Sequence, residues 1–69
     1  MLATIYNYEP NFEEYNYHQQ WLIKGIYGFE SFMTMTLNLR DDLRFVDGYC
    51  REHNLDFPRD LEQLRVLAF

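Results

Sequence analysis

Residues 6–21 read YNYEPNFEEYNYHQQW and hold four Tyr, one Phe, one Trp and three Glu, with no Lys or Arg. Two readings of this stretch compete, and they lead to different folds. In the first, the two YNY triplets face each other across a turn. Between them lies EPNFEE, and Pro and Asn favour turns through a fixed φ and a tolerance of unusual φ/ψ. A hairpin centred on Asn11 and Phe12 sets Tyr6 opposite Tyr17, Asn7 opposite Asn16 and Tyr8 opposite Tyr15. Like residues then pair across the strands, which suits aromatics. The alternation continues outward, with Tyr15, Tyr17, Trp21 and Ile23 on one face, interrupted at Gln19, and Asn16, His18, Gln20 and Leu22 on the other. In the second reading, residues 12–27 form a helix capped by Asn11, with Phe12, Tyr15, Leu22 and Ile26 on one stripe and Gln19 inside it. Tyr and Asn are mediocre helix formers, and the period of two favours the strand.

Further along, FMTMTLNLR (residues 32–40) places Met33, Met35, Leu37 and Leu39 in alternation with Thr34, Thr36, Asn38 and Arg40. An apolar face and a polar, uncharged face predict a half-buried strand. Gly25 and Gly28 mark the connection before it. The next segment predicts a helix from Asp41 and Asp42 to Asn54. Its first turn is acidic, Leu43, Val46, Cys50 and His53 stand at helical spacing, and Asn54 supplies a left-handed terminator. After Pro58 the pattern predicts a short helix over residues 59–67 with Leu61 and Leu64 inward and Leu67 or Ala68 beside them; a strand over residues 64–69 is the alternative. The sum is an α+β fold: a three-stranded antiparallel β-meander followed by one or two helices packed on one face, as a single domain over residues 1–69. Most of the tyrosines then belong under or beside the helix.

Composition narrows the function. A chain of 69 residues has little core, and a lone cysteine, Cys50, rules out an internal disulfide. Stability has to come from large side chains (19% of residues are aromatic) or from a second copy. A lone thiol fits a reducing compartment. The opening residues MLATIYNYEP show neither a basic stretch nor a cleavage site, and no apolar run nears the ~20 residues a membrane span needs. The expected location is the cytoplasm, away from membranes.

No catalytic, metal or cofactor signature stands out. Cys50 and His53 share a helix face, which makes a Cys–His dyad conceivable. Yet Cys50 stands at a core position, where a thiol is inert. The adjacent carboxylates Glu13–Glu14 and Asp41–Asp42 point in different directions, and KGIYG lacks the spacing of a phosphate loop. Neither a cofactor nor a metal is expected, and the chain reads as a non-enzyme.

The charge partition is more informative. Net charge is −5, which disfavours direct binding to nucleic acid or to anionic lipid. Residues 1–23 carry Glu9, Glu13 and Glu14 with no cation. All five arginines come from Arg40 onward, among seven carboxylates. Tyr with Asn is the composition of binding loops that combine rigid contact area with adaptable hydrogen bonds. The expectation is a small acidic protein-binding module for a basic surface on another protein. In its sharpest form it is a phage-type inhibitor that occupies a nucleic-acid-facing surface. The other classes are an accessory subunit of a larger complex and a small ligand-binding protein. The candidate partner-binding residues are Tyr8, Glu9, Phe12, Glu13, Glu14 and Tyr15. The polar sheet face, with Ile5, Asn16, His18, Thr34 and Thr36, is nearly uncharged and is the candidate face for a homodimer.

Overall fold

The helix expected after Asp41 is the backbone of the molecule. In the computed structural model, which describes residues 5–68 and side chains as far as Leu67, it is the longest of four α-helices among the described residues. These are α1 (Ile5–Tyr8), α2 (Tyr17–Ile26), α3 (Leu39–Glu52) and α4 (Arg59–Ala68). A 3₁₀ turn, Phe12–Glu14, lies between α1 and α2, and another, Phe32–Thr34, lies between α2 and α3. No strand is present among the described residues, so the three-stranded meander is not the fold.

α3 forms because its apolar positions follow the helical repeat. Leu43, Val46, Tyr49 and Cys50 are all buried on one stripe. Asn38 caps its start by accepting from the Asp41 N–H. Its end is a Schellman turn: the Leu55 N–H reaches the Cys50 carbonyl at 2.8 Å and the Asn54 N–H reaches that of Arg51 at 3.4 Å. Asn54 takes the left-handed conformation this requires, with φ 56°. α4 follows Pro58, whose carbonyl accepts from the Leu61 N–H at 3.1 Å. Leu61 is buried against α3, while Val66 and Leu67 point outward. Phe69, where the alternative strand would end, lies outside the described residues.

α2 corrects the hairpin. Asn16, not Asn11, is the cap. Its side chain accepts from the Gln19 N–H at 2.8 Å, and Gln19 Oε1 accepts in return from the Asn16 N–H at 3.3 Å. This reciprocal capping box starts the helix between the proposed strand partners. Tyr17 therefore begins a helix and cannot pair with Tyr6, and Tyr15 cannot pair with Tyr8 in a ladder. The helix buries Leu22 and Ile23 and ends at Gly28, whose φ of 87° allows a second Schellman turn. Gly25 is inside the helix rather than in a connection.

The segment FMTMTLNLR is also corrected. Ser31 caps the 3₁₀ turn Phe32–Thr34, and Phe32 enters the core while Met33 is fully outside. Between the 3₁₀ turn and α3 the backbone is extended at both ends of the connection, with ψ 150° at Met35 and 102° at Asn38. Met35 and Leu37 pack on the core, and Thr36 and Asn38 face out. The alternation is thus real, but no strand pairs with it. Period two reports an extended backbone packed on a core as readily as it reports a sheet.

Two buried clusters result. The main one joins Leu22, Phe32, Leu43, Val46, Cys50 and Leu61, and so ties α2, α3 and α4 together. The second joins Ile5 and Phe12 from the N-terminal arm to Ile23 and Tyr49.

Candidate functional site

Glu9 stands between α1 and the first 3₁₀ turn and is buried, with 2% of its surface exposed. A buried carboxylate needs donors on its oxygens, and here it has three. The Asn11 N–H donates to Oε1 at 3.0 Å. The Tyr49 hydroxyl donates to Oε2, and His53 Nε2 lies 3.1 Å from the same oxygen. His53 and Tyr49 are one turn apart on α3, and their rings stack at 3.9 Å. The other ring nitrogen, His53 Nδ1, is 3.0 Å from the Tyr49 carbonyl. Both ring nitrogens thus lie against oxygen atoms, which holds the ring from two sides. The Tyr27 hydroxyl completes the cluster, 2.9 Å from the Tyr49 oxygen.

This environment acts on each acid group. Burial pushes the Glu9 carboxyl up, but the Tyr49 hydroxyl, the Asn11 N–H and His53 together outweigh it and hold the carboxyl below its ordinary value. Burial, and then the adjoining carboxylate, push the Tyr49 hydroxyl well above the ordinary tyrosine range. Burial and the nearby Glu9 raise Tyr15 as well. A second polar contact pins α2 to α3. Asp42, also buried, accepts from the Asn38 N–H at 2.8 Å and lies 2.7 Å from His18 Nε2.

The expected partner-binding residues are therefore divided. Glu9 and Phe12 are interior, Tyr15 is half-buried and packs edge-on against Phe45 and Tyr49, and Tyr8 is half exposed beside Tyr27 and Phe29. Glu13 and Glu14 stay exposed, and neither forms an ion pair with a described residue. The expected dimer face dissolves with the sheet that would have aligned it. Ile5 is in the core, Asn16 caps α2, and His18 contacts Asp42. Thr34 lies in a 3₁₀ turn and Thr36 in the extended connection. The Cys50–His53 dyad does not form either, because both His53 nitrogens are committed elsewhere and the buried thiol is pushed up.

Tyr49 and Tyr27 escape notice in the sequence, and Asp42 reads there only as a solvated helix-start carboxylate, not as the buried partner of His18. The one available signal was Tyr49 and His53 at i and i+4, which share a helix face; nothing local joins them to Glu9, forty residues away from Tyr49. Gln19 was legible, since Asn-x-x-Gln ahead of WLI is a capping box.

The outer face of α2 presents Tyr17, 78% exposed, and Trp21, 39% exposed, one turn apart and immediately after Glu13 and Glu14. Among the described residues no pocket opens at the surface, no cluster of three or more metal-ligating side chains forms, and no helix is long and apolar enough to cross a membrane. Comparison with protein families, with curated proteins and with solved structures finds no match for this chain.

Proposed function

We propose that the chain is a protein-binding module that docks a basic surface through the outer face of α2 and the acidic turn before it. The observation that carries this reading is the conjunction of Tyr17 and Trp21, exposed on one helix face, with two exposed glutamates ahead of them that form no ion pair among the described residues. Tyr and Trp supply large contact area at low entropic cost and are enriched at the centre of interfaces. Charge complementarity points to a basic occupant: residues 1–39 hold four Glu and a single cation, Lys24, which stands over the Phe12 ring. A partner that normally presents this basic surface to nucleic acid would be inhibited by such docking.

The test is capture from a lysate with three baits. Against wild type, Glu13→Lys/Glu14→Lys and Trp21→Ala are expected to lose the captured protein, whereas Glu52→Lys/Asp56→Lys retains it. Salt should weaken the wild-type association, because screening shortens the Debye length from about 10 Å at 0.1 M to about 3 Å at 1 M. Competition with nucleic acid for the captured protein then separates inhibition from simple docking. A partner held equally by all three baits overturns the assignment of this face.

A further inference from the structure

The main core contains no residue before Leu22. The first eleven described residues, 5–15, reach the rest through the second cluster, where Ile5 and Phe12 meet Ile23 and Tyr49, and through the half-exposed Tyr8 ring against Tyr27 and Phe29. Their hinge is already extended, with ψ 152° at Tyr15 and 168° at Asn16. The polar connection from this arm into the helices runs through the Glu9 carboxylate to Tyr49 and His53 on α3. Tyr27, at the end of α2, adds one long hydrogen bond to the Tyr8 carbonyl at 3.4 Å, and at the hinge the Gln20 side-chain amide donates to the Tyr15 carbonyl at 3.0 Å.

We propose that residues 5–15 form a releasable arm pinned by the Glu9 carboxylate, and that neutralising this one group frees the arm while α2, α3 and α4 stay packed. The chemistry follows from the donors. As a carboxylate, Glu9 accepts from all three of its partners at once. A neutral carboxyl brings a hydrogen of its own into a ring of donors and loses its attraction to His53. The titratable groups around it are Tyr49 and His53 from α3, Tyr27 from the end of α2 and Tyr15 from the arm, with Glu14 and Glu52 acting on Tyr15. Release uncovers Ile23 and Tyr49, which the arm otherwise covers with Ile5 and Phe12. The pin, Glu9 with Tyr49 and His53, is not part of the docking face proposed above, although the arm carries that face's Glu13 and Glu14.

Native-state amide exchange followed by NMR tests it on the full chain. The reporters in the arm are the Glu9, Asn11 and Phe12 N–H groups, bonded to the Ile5 carbonyl, Glu9 Oε1 and the Glu9 carbonyl. The reference amides are those of α3 and α4. Glu9→Gln, a neutral mimic of the same shape, should speed exchange in the arm by about tenfold or more at neutral pH, the effect of one lost buried charge-assisted bond. The reference amides should not change. Tyr49→Phe, which keeps the ring and removes one donor, should speed the same arm amides. Wild type taken below the ordinary carboxylate range, with rates corrected for intrinsic exchange, should release the arm as Glu9→Gln does. Arm and reference amides accelerating together overturns the proposal, as does a Glu9→Gln chain that unfolds as a whole. Arm rates equal to wild type show that Glu9 is not the pin.

Discussion

Gly25 and Gly48 both sit inside helices, and their surroundings give them opposite roles. A Cβ added at Gly25 would come within 2.7 Å of the Phe32 ring, which is buried in the main core. The absence of a side chain lets that ring lie on α2. Gly25→Ala is therefore expected to destabilise the protein by about 1–3 kcal/mol, the usual cost of overpacking. Gly48 has nothing within 4 Å of the same position and is exposed. No packing in the structure explains it. Gly48→Ala should raise stability by about 0.5–1 kcal/mol through helix propensity. Urea denaturation of both variants checks the pair. Equal signs would mean that the Phe32 contact does not govern Gly25.

At the scale of elements, α2 is held more by its caps and neighbours than by its own composition. Leu22 and Ile23 are its fully buried residues, and Tyr17 and Trp21 face outward. Asn16→Ala removes the side-chain half of the capping box, the acceptor for the Gln19 N–H, and is expected to cost about 1 kcal/mol. Circular dichroism and thermal denaturation would measure this, and an unchanged midpoint would show that burial of Leu22 and Ile23 alone sets the helix. The same cap explains why the hairpin reading failed. The mirrored YNY triplets are a true symmetry of the sequence, but Asn16 satisfies the first free N–H groups of a helix on the spot, whereas a hairpin needs a partner strand along its full length. α3 and α4 were legible from their spacing because Leu43, Val46, Cys50 and Leu61 repeat with the helical period and become core. Asn54 and Pro58 marked their boundaries correctly, since left-handed termini and helix starts are properties of single residues.

At the scale of the whole molecule, the surface ion pairs contribute little. Arg51 and Arg65 pair with a largely covered Asp47 at 3.2 Å while their own side chains reach water, and such pairs are worth about 0–1 kcal/mol each. The pH dependence should instead follow Glu9. Its carboxyl lies below the ordinary value of 4.5, so its stabilisation is complete above that value and disappears as the pH falls through the lowered folded value. Stability is expected to hold from neutral pH to about pH 5 and to fall below it, with a shallower fall in Glu9→Gln. Urea midpoints across that range decide this, and identical acid slopes for the two proteins would remove Glu9 from the account. The sequence by itself determined α3, the burial of Cys50 and the acidic character of the first half, because helical period, thiol placement and charge are local or additive properties; for the last segment it favoured a helix and left a strand open. Only the tertiary structure decided that Tyr6, Tyr8 and Tyr17 stay near water while Glu9, flanked by tyrosine and proline, goes inside. A carboxylate can be buried only where donors converge on it. The Asn11 N–H is local, but Tyr49 and His53 come from a helix that starts thirty residues later in the chain, at Leu39, and local pattern carries no information about that meeting.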